Sequence, residues 1–374
     1  MSDEVRPARN DAWVPPGATA RQGPTPPPAP AAPMPAAPPA SAAAPISAAE
    51  RQRAKNAERG PIFPDRVPWA AVAVFTAIAV GAGWLVVLPV WLSGEGLADP
   101  LFGLLALVLM YTPALATLVV VLWVRRPASI PRYLGLSPMR PAGRTWLFIA
   151  IAFVLFTVLP FLAMLLGQAM GLVRLDFAGL SGITAAFEGT GAVPIDPGTV
   201  VLITLVTLPL VTVVNSIAAF GEEIGWRGWL LPSLRPLGTL PALLLTGVVW
   251  GLWHSPIILL GYNYQRTDLL GVLAMVVFCV LTGVVIGWLR LRSASVWPAV
   301  VAHGAINTAT AQWLIFVDAD DLPVGPWGTV LGWPGWMLLA LVILALVLTR
   351  QLWKQATPGL TMAEAREPAP APGM

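Results

Sequence analysis

The chain has only two histidines, His254 and His303, and both fall inside long apolar stretches. A third apolar stretch carries the adjacent acids Glu222 and Glu223, followed by Arg227. An ionisable side chain near the middle of a bilayer costs about 2.5–3.5 kcal/mol by insertion measurements, so a chain that keeps these groups there has a use for them. Two carboxylates, two imidazoles and a guanidinium are the equipment of water activation. A carboxylate or imidazole takes a proton from water, and fixed donors steady the negative charge that then develops on a carbonyl oxygen. The residues therefore point to hydrolysis within the membrane.

The spacing assigns places on helices. In Phe220-Gly221-Glu222-Glu223-Ile224-Gly225-Trp226-Arg227, Glu223 and Arg227 are i,i+4 neighbours able to form an ion pair. Glu222 lies about 100° further around the helix and faces another surface. The cation pairs with Glu223 and leaves Glu222 for general-base work. Asn215, seven residues upstream of Glu222, adds polarity to the same face. The competing reading is a structural ion pair at a helix end. A second stretch ends Trp250-Gly-Leu-Trp-His254, with Gly247 and Gly251 as a small-x-x-x-small pair that lets a neighbouring helix approach closely. A third reads Pro298-Ala-Val-Val-Ala-His303-Gly-Ala-Ile-Asn307. His303 and Asn307, again i,i+4, present an imidazole and an amide on one face, which suits an oxyanion as well as a polar contact between helices.

The elements that must carry these residues are membrane helices. Of the 374 residues, 56% are hydrophobic and only 11% charged, with a mean hydropathy of +0.73; soluble domains carry about 25% charged residues. This is an all-α, polytopic membrane protein. Eight apolar runs are long enough to span, near 68–92, 101–124, 146–172, 200–231, 239–260, 269–289, 296–316 and 333–350. The fourth exceeds a minimal span and must tilt or project beyond the lipid. Residues 1–60 are Pro/Ala-rich, with runs such as Pro26-Pro27-Pro28, and read as a disordered tail without the apolar core of a signal peptide. The membrane domain follows over 61–355, and 356–374 is a second disordered tail. If the N-terminus is cytoplasmic and all eight runs cross, 20 of the 22 basic residues lie on the inner side, leaving Arg174 and Arg266 outside with nine acids. That asymmetry places both termini in the cytoplasm. It also accounts for the net charge of +3 without nucleic acid. The 17 tryptophans, many near run ends, suit an interfacial belt. The lone Cys279 reads as packing.

Depth offers a check. Glu222 lies roughly 14 Å and His303 roughly 11 Å from the inner side at 1.5 Å per residue, whereas His254 comes out near 22 Å. Helix tilt and the position of the helix ends absorb that mismatch, and the expected site is open to the cytoplasm, a third to halfway through the bilayer.

Glu-Glu-x-x-x-Arg, an aromatic four residues before a His, and His-x-x-x-Asn, in this order on successive late spans, resemble the CPBP family, the CAAX-protease and bacteriocin-processing (Abi) group of intramembrane proteases. The motifs cover roughly residues 200–310, and the eight-helix layout extends the likeness to about 68–350. Trp250 stands where the commonest form has Phe. The resemblance implies that Glu222, aided by His254, activates water, that His303 and Asn307 stabilise the oxyanion, and that Glu223 and Arg227 shape the site. It leaves two chemistries open: none required beyond the glutamate, or one Zn2+ ligated by Glu222, His254 and His303. No His-Glu-x-x-His spacing is present, which favours the metal-free form.

Other readings fare less well. Gly179-Leu-Ser181-Gly182 matches the Gly-x-Ser-Gly of rhomboid serine proteases, but Ser181 falls in a polar loop between spans rather than in a helix. Aspartyl chemistry needs two Asp within spans, and every Asp here lies in a tail or loop. A non-proteolytic adaptor or bacteriocin-immunity protein, keeping the polar groups as interhelical glue, is the main alternative; a proton-coupled transporter lacks the inverted repeat it should show. The partners expected are membrane lipid and a membrane-associated peptide or protein substrate, in what composition suggests is a bacterial plasma membrane. The sequence of that substrate is not legible.

Overall fold

The computed structural model describes Gly23 and residues 46–188, 195–322 and 325–366. Residues Ile46–Met374 form one compact unit. Its long helices are α1 (Ala48–Glu58), α2 (Trp69–Ser93), α3 (Phe102–Leu109), α4 (Thr112–Val119), α5 (Ala142–Ala169), α6 (Pro197–Glu223), α7 (Thr239–Trp253), α8 (Leu269–Ser293), α9 (Trp297–Gln312) and α10 (Trp333–Leu348). Among the described residues the structure is helical, with one isolated antiparallel bridge between Leu175 and Val317, so the all-α membrane class holds.

Eight full spans are not what the structure shows. Among the described residues, six helical stretches are long and apolar enough to cross a membrane: Trp69–Ser93, Phe102–Val124, Ala142–Ala169, Pro197–Leu237, Leu269–Ser293 and Pro326–Leu348. The fifth and seventh expected runs fold as the 15-residue α7 and the 16-residue α9. At 1.5 Å per residue these rise about 23 Å, short of a hydrocarbon core of about 30 Å. Both are enclosed by longer neighbours: α7 packs along α8, and α9 packs against α5 and α6. Helix starts follow local chemistry. Asp196 accepts from the Thr199 N–H ahead of α6, and Asp268 accepts from the Gly271 N–H ahead of α8. Prolines occupy the first turns of α6, α9 and α10, where the missing N–H costs nothing.

Both expected tails differ from the reading of disorder where they are described. Within 1–60, Ala48–Glu58 is a helix with a capping box, Ser47 Oγ accepting from the Glu50 N–H and Glu50 accepting from the Ser47 N–H. The helix has no buried apolar residue, so hydrophobic periodicity could not reveal it. It is held instead by polar contacts: Asn56 donates to the Pro358 carbonyl at 3.1 Å, and Arg53 donates to the Glu364 carbonyl. Residues 356–366 are correspondingly placed. The Ala356 N–H reaches the Leu291 carbonyl at 3.0 Å, Arg144 donates to the carbonyls of Leu360 and Thr357, and Ala356 and Leu360 are buried. The remainder of the tail readings, over 1–22, 24–45 and 367–374, lies outside the described residues. Ser181 also differs from expectation: it begins a short helix, Ser181–Glu188, and its hydroxyl accepts from the Ala319 N–H at 3.1 Å.

Candidate functional site

Glycines bring the site's helices together. A Cβ on Gly221 would stand 2.7 Å from the Met110 carbonyl oxygen, and one on Gly225 would stand 2.5 Å from Pro113 Cβ, so the pair flanking the acids lets α6 lie directly on the α3–α4 junction. On α7, a Cβ at Gly247 would meet Val280 Cα at 2.7 Å and one at Gly251 would meet Val276 Cα at 2.5 Å. The small-residue pair therefore seats α7 on α8, as its spacing predicts. On α9, a Cβ at Gly304 would lie 2.2 Å from Ser216 Oγ. Asn215 of α6 ties the same crossing by donating to Thr308 Oγ1 at 3.0 Å. Beyond Glu223, α6 continues as a π-helical segment, Ile224–Leu230; such widened turns recur at functional sites.

Within this frame Glu222, Glu223, Arg227, His254 and His303 are all buried, Glu223 and Arg227 completely. Arg227 Nη1 pairs with Glu223 Oε1 at 2.7 Å, the expected i,i+4 ion pair. The two acids do not face separate surfaces as their angular spacing suggested. One imidazole addresses both: His303 Nδ1 is 2.8 Å from Glu223 Oε1, and its Nε2 is 3.9 Å from Glu222 Oε1. Glu222 Oε2 accepts from two indoles, Trp250 Nε1 at 2.6 Å and Trp226 Nε1 at 3.4 Å.

His254 joins through Trp250. Its Nδ1 is 2.9 Å from the Trp250 carbonyl oxygen. A carbonyl can only accept, so Nδ1 carries the proton and Nε2 is left as the basic nitrogen. Cys279 Sγ lies 3.9 Å from the same Nδ1. Trp250, not His254, stands level with Glu222, and His254 sits one turn further along, about 6 Å at 1.5 Å per residue. Asn307 is exposed, one turn beyond His303 on α9.

The tryptophans are what sequence reasoning missed. In the sequence Trp250 reads as the aromatic before a His and Trp226 as an unspecified position of Glu-Glu-x-x-x-Arg, neither as a donor to Glu222. The available signal was their placement: Trp226 is i+4 from Glu222, and Trp250 is i−4 from His254.

Among the described residues no group of three or more His, Cys, Asp or Glu side chains is arranged to hold a metal ion. Glu222 Oε2 is taken by indoles and both Nδ1 atoms by protein acceptors, which leaves Glu222 Oε1 and the two Nε2 atoms as the remaining donor atoms.

A cavity of about 750 Å³ lies beside the cluster, lined among others by Phe153, Thr212, Ser216, Phe220, Trp297 and Val300. Phe220 stacks on Trp297 with centroids 5.6 Å apart. Of the lining residues, Ser216 comes nearest the site, abutting Gly304 beside His303, while none of Glu222, Glu223, His254 and His303 lines the cavity.

Residues 204–309 match the family model of the type II CAAX prenyl endopeptidase Rce1-like proteins. CAAX prenyl protease 2 of Methanococcus maripaludis is 30% identical over 122 residues, which is 29% of this chain and 42% of that protein. The chain thus aligns with less than half the length of this relative. The matched stretch contains Glu222, Glu223, Arg227, His254, His303 and Asn307 together. Over residues 204–309, where the whole site resides, this chain is similar to the Rce1-like proteins.

Proposed function

We propose that the chain is an intramembrane endopeptidase that hydrolyses a peptide bond of a membrane-associated substrate. The observation that carries this reading is the His303 imidazole set between the two acids, 2.8 Å from Glu223 and 3.9 Å from Glu222, in a buried site flanked by a cavity. Two neighbouring acids then have separate duties. Glu223 holds the ring and neutralises Arg227, and Glu222 is free to act on water.

Glu222, as carboxylate, takes a proton from a water molecule while the water oxygen forms a bond to the scissile carbonyl carbon. The carbonyl π pair moves onto its oxygen. His303, doubly protonated and anchored through Nδ1, donates to that oxyanion from Nε2, and Asn307 supplies a second donor. His254 accepts from the water through Nε2 and orients it. When the carbonyl re-forms, the C–N bond breaks and the leaving nitrogen takes the proton held by Glu222, giving a carboxylic acid and an amine. Arg227 stays paired with Glu223 throughout. No step is routed through a metal.

The relative named CAAX prenyl protease 2 and the adjoining cavity support a peptide whose cleavage site lies close to a hydrocarbon chain. The arginine-rich ends of α5 and α8 support cytoplasmic termini. Hydrolysis of internally quenched peptides by the protein in lipid nanodiscs tests the reading, using a peptide with a lipidated cysteine near its C-terminus and an unlipidated transmembrane peptide. Cleavage abolished in Glu222→Gln and His303→Ala supports it. A cellular phenotype that survives both substitutions in accumulated protein supports the adaptor or immunity alternative.

A further inference from the structure

We propose that Trp250 is a positioning residue of this site: its indole N–H fixes Oε2 of Glu222 and so leaves Oε1 as the oxygen that takes the proton from water. The inference rests on the hydrolytic reading above and specifies which atom performs it.

Trp250 meets every central group. Its Nε1 donates to Glu222 Oε2 at 2.6 Å. The Arg227 guanidinium lies over its ring, 4.2 Å from the centroid. His303 stands edge-on to it, with centroids 5.3 Å apart, and its own carbonyl accepts from His254 Nδ1 at 2.9 Å. A free carboxylate has two equivalent oxygens and rotates between them. Here Oε2 accepts from two indoles, whereas Oε1 faces His303 Nε2 at 3.9 Å. A donor bound to one oxygen of a carboxylate is a charge-assisted hydrogen bond, stronger than a neutral one, and it sets the plane of the carboxyl group. The remaining oxygen then points at the His303 ring that donates to the oxyanion. The seat of the indole is itself constrained, because Gly247 and Gly251 on either side of Trp250 are pressed onto α8. A phenyl ring at this place would keep the stacking with Arg227 and His303 but could not donate. The donor is thus a property of this chain's Trp rather than of the aromatic position in general.

The experiment compares Trp250→Phe with Trp253→Phe in nanodiscs. Trp253 lies on the same helix and its indole donates to Thr112 Oγ1 at 3.0 Å, so it reports the loss of an indole hydrogen bond away from Glu222. Trp250→Phe should lower kcat by about 10- to 100-fold with KM within about twofold, the loss of one hydrogen bond to a charged group. Trp253→Phe should lower thermal stability without that kcat loss. An activity-independent arm uses indole 15N-labelled protein. The Trp250 N–H resonance, assigned by its disappearance in Trp250→Phe, should shift in Glu222→Gln while that of Trp253 stays in place. If Trp250→Phe does not accumulate, Trp226→Phe removes the longer donor and should show a smaller kcat loss with the same split. Equal kcat in Trp250→Phe and wild type, with Glu222→Gln inactive, overturns the inference but not the hydrolytic reading. So does a Trp250 resonance indifferent to Glu222→Gln. Full hydrolysis by Glu222→Gln overturns the hydrolytic reading and this inference with it.

Discussion

His303 Nδ1 lies 2.8 Å from Glu223 Oε1, so a single carboxylate oxygen fastens α9 to α6 across 80 residues of chain. The same oxygen receives Arg227 Nη1 at 2.7 Å. Glu223→Gln removes the charge that compensates a wholly buried guanidinium and weakens the anchor of the imidazole in one change. Breaking a buried pair from one side costs about 3–5 kcal/mol. Glu223→Gln should therefore lower the unfolding temperature of the solubilised protein sharply. Glu222→Gln, whose Oε2 partners are neutral indoles that an amide oxygen also satisfies, should leave stability nearly intact while lowering hydrolysis about 10²–10⁴-fold. Comparable destabilisation by both would contradict this division between holding and reacting acids.

Close helix approach at Gly304 is the second condition for that geometry. A Cβ there would meet Ser216 Oγ at 2.2 Å and, behind it, the Ser216 backbone N at 2.7 Å. Gly304→Ala should push α9 away from α6, displace the adjacent His303 and abolish activity, with an overpacking cost of about 1–3 kcal/mol or more. Because backbone atoms are struck as well as the hydroxyl, Ser216→Gly should fail to rescue it. Gly81, on α2, has nothing within 4 Å of its Cβ position, and Gly81→Ala should gain up to about 1 kcal/mol of helix propensity. Thermal denaturation of the pair against wild type measures both.

What the sequence made legible follows from cost. Glu222, Glu223, Arg227, His254 and His303 stood out because ionisable groups are rare in apolar runs, and the structure gathers them through α6, α7 and α9. Indole donors were hidden because tryptophan is equally at home in an interfacial belt: Trp69 and Trp146 are exposed, whereas Trp226 and Trp250 are buried. Composition alone does not separate the two uses. The length of α7 and α9 was hidden for a related reason, since a run's hydropathy does not record where a helix gives way to turns, as α7 does at His254. Helix α1 lacked an apolar stripe and showed only its Ser47–Glu50 capping box, a short-range signal that a Pro/Ala-rich context masked.

Chelation separates the two chemistries that the resemblance left open. Among the described residues no group of three or more His, Cys, Asp or Glu side chains is arranged to hold a metal ion, so hydrolysis in nanodiscs should withstand prolonged treatment with 1,10-phenanthroline or EDTA. Loss of activity on chelation, restored by stoichiometric zinc, would falsify the metal-free mechanism and require the three side chains to regroup on binding.

At the opposite end of the bundle from the arginine-rich loops, Arg174 and Asp321 clasp the loop after α5 to the segment after α9. Arg174 Nε donates to Asp321 Oδ1 at 2.9 Å, and its backbone N–H donates to Oδ2 at 2.5 Å. The Leu175–Val317 bridge and the Asp318 N–H to Arg174 carbonyl bond, 3.0 Å, complete the contact. These donors from Arg174 hold the Asp321 carboxyl below the usual carboxylate range. A group whose folded value is depressed adds stability above its unfolded value, about 3.9 for Asp, and loses it as the pH falls through the lower folded value. The clasp should thus be indifferent to pH from neutrality down to about pH 4 and open only below that. Hydrogen exchange at the Arg174 amide, compared at matched intrinsic rates, should lose protection in that acid window in wild type. In Asp321→Asn protection should be low at every pH, because the carboxylate is absent throughout; a wild-type transition centred above pH 5 would place the controlling group elsewhere.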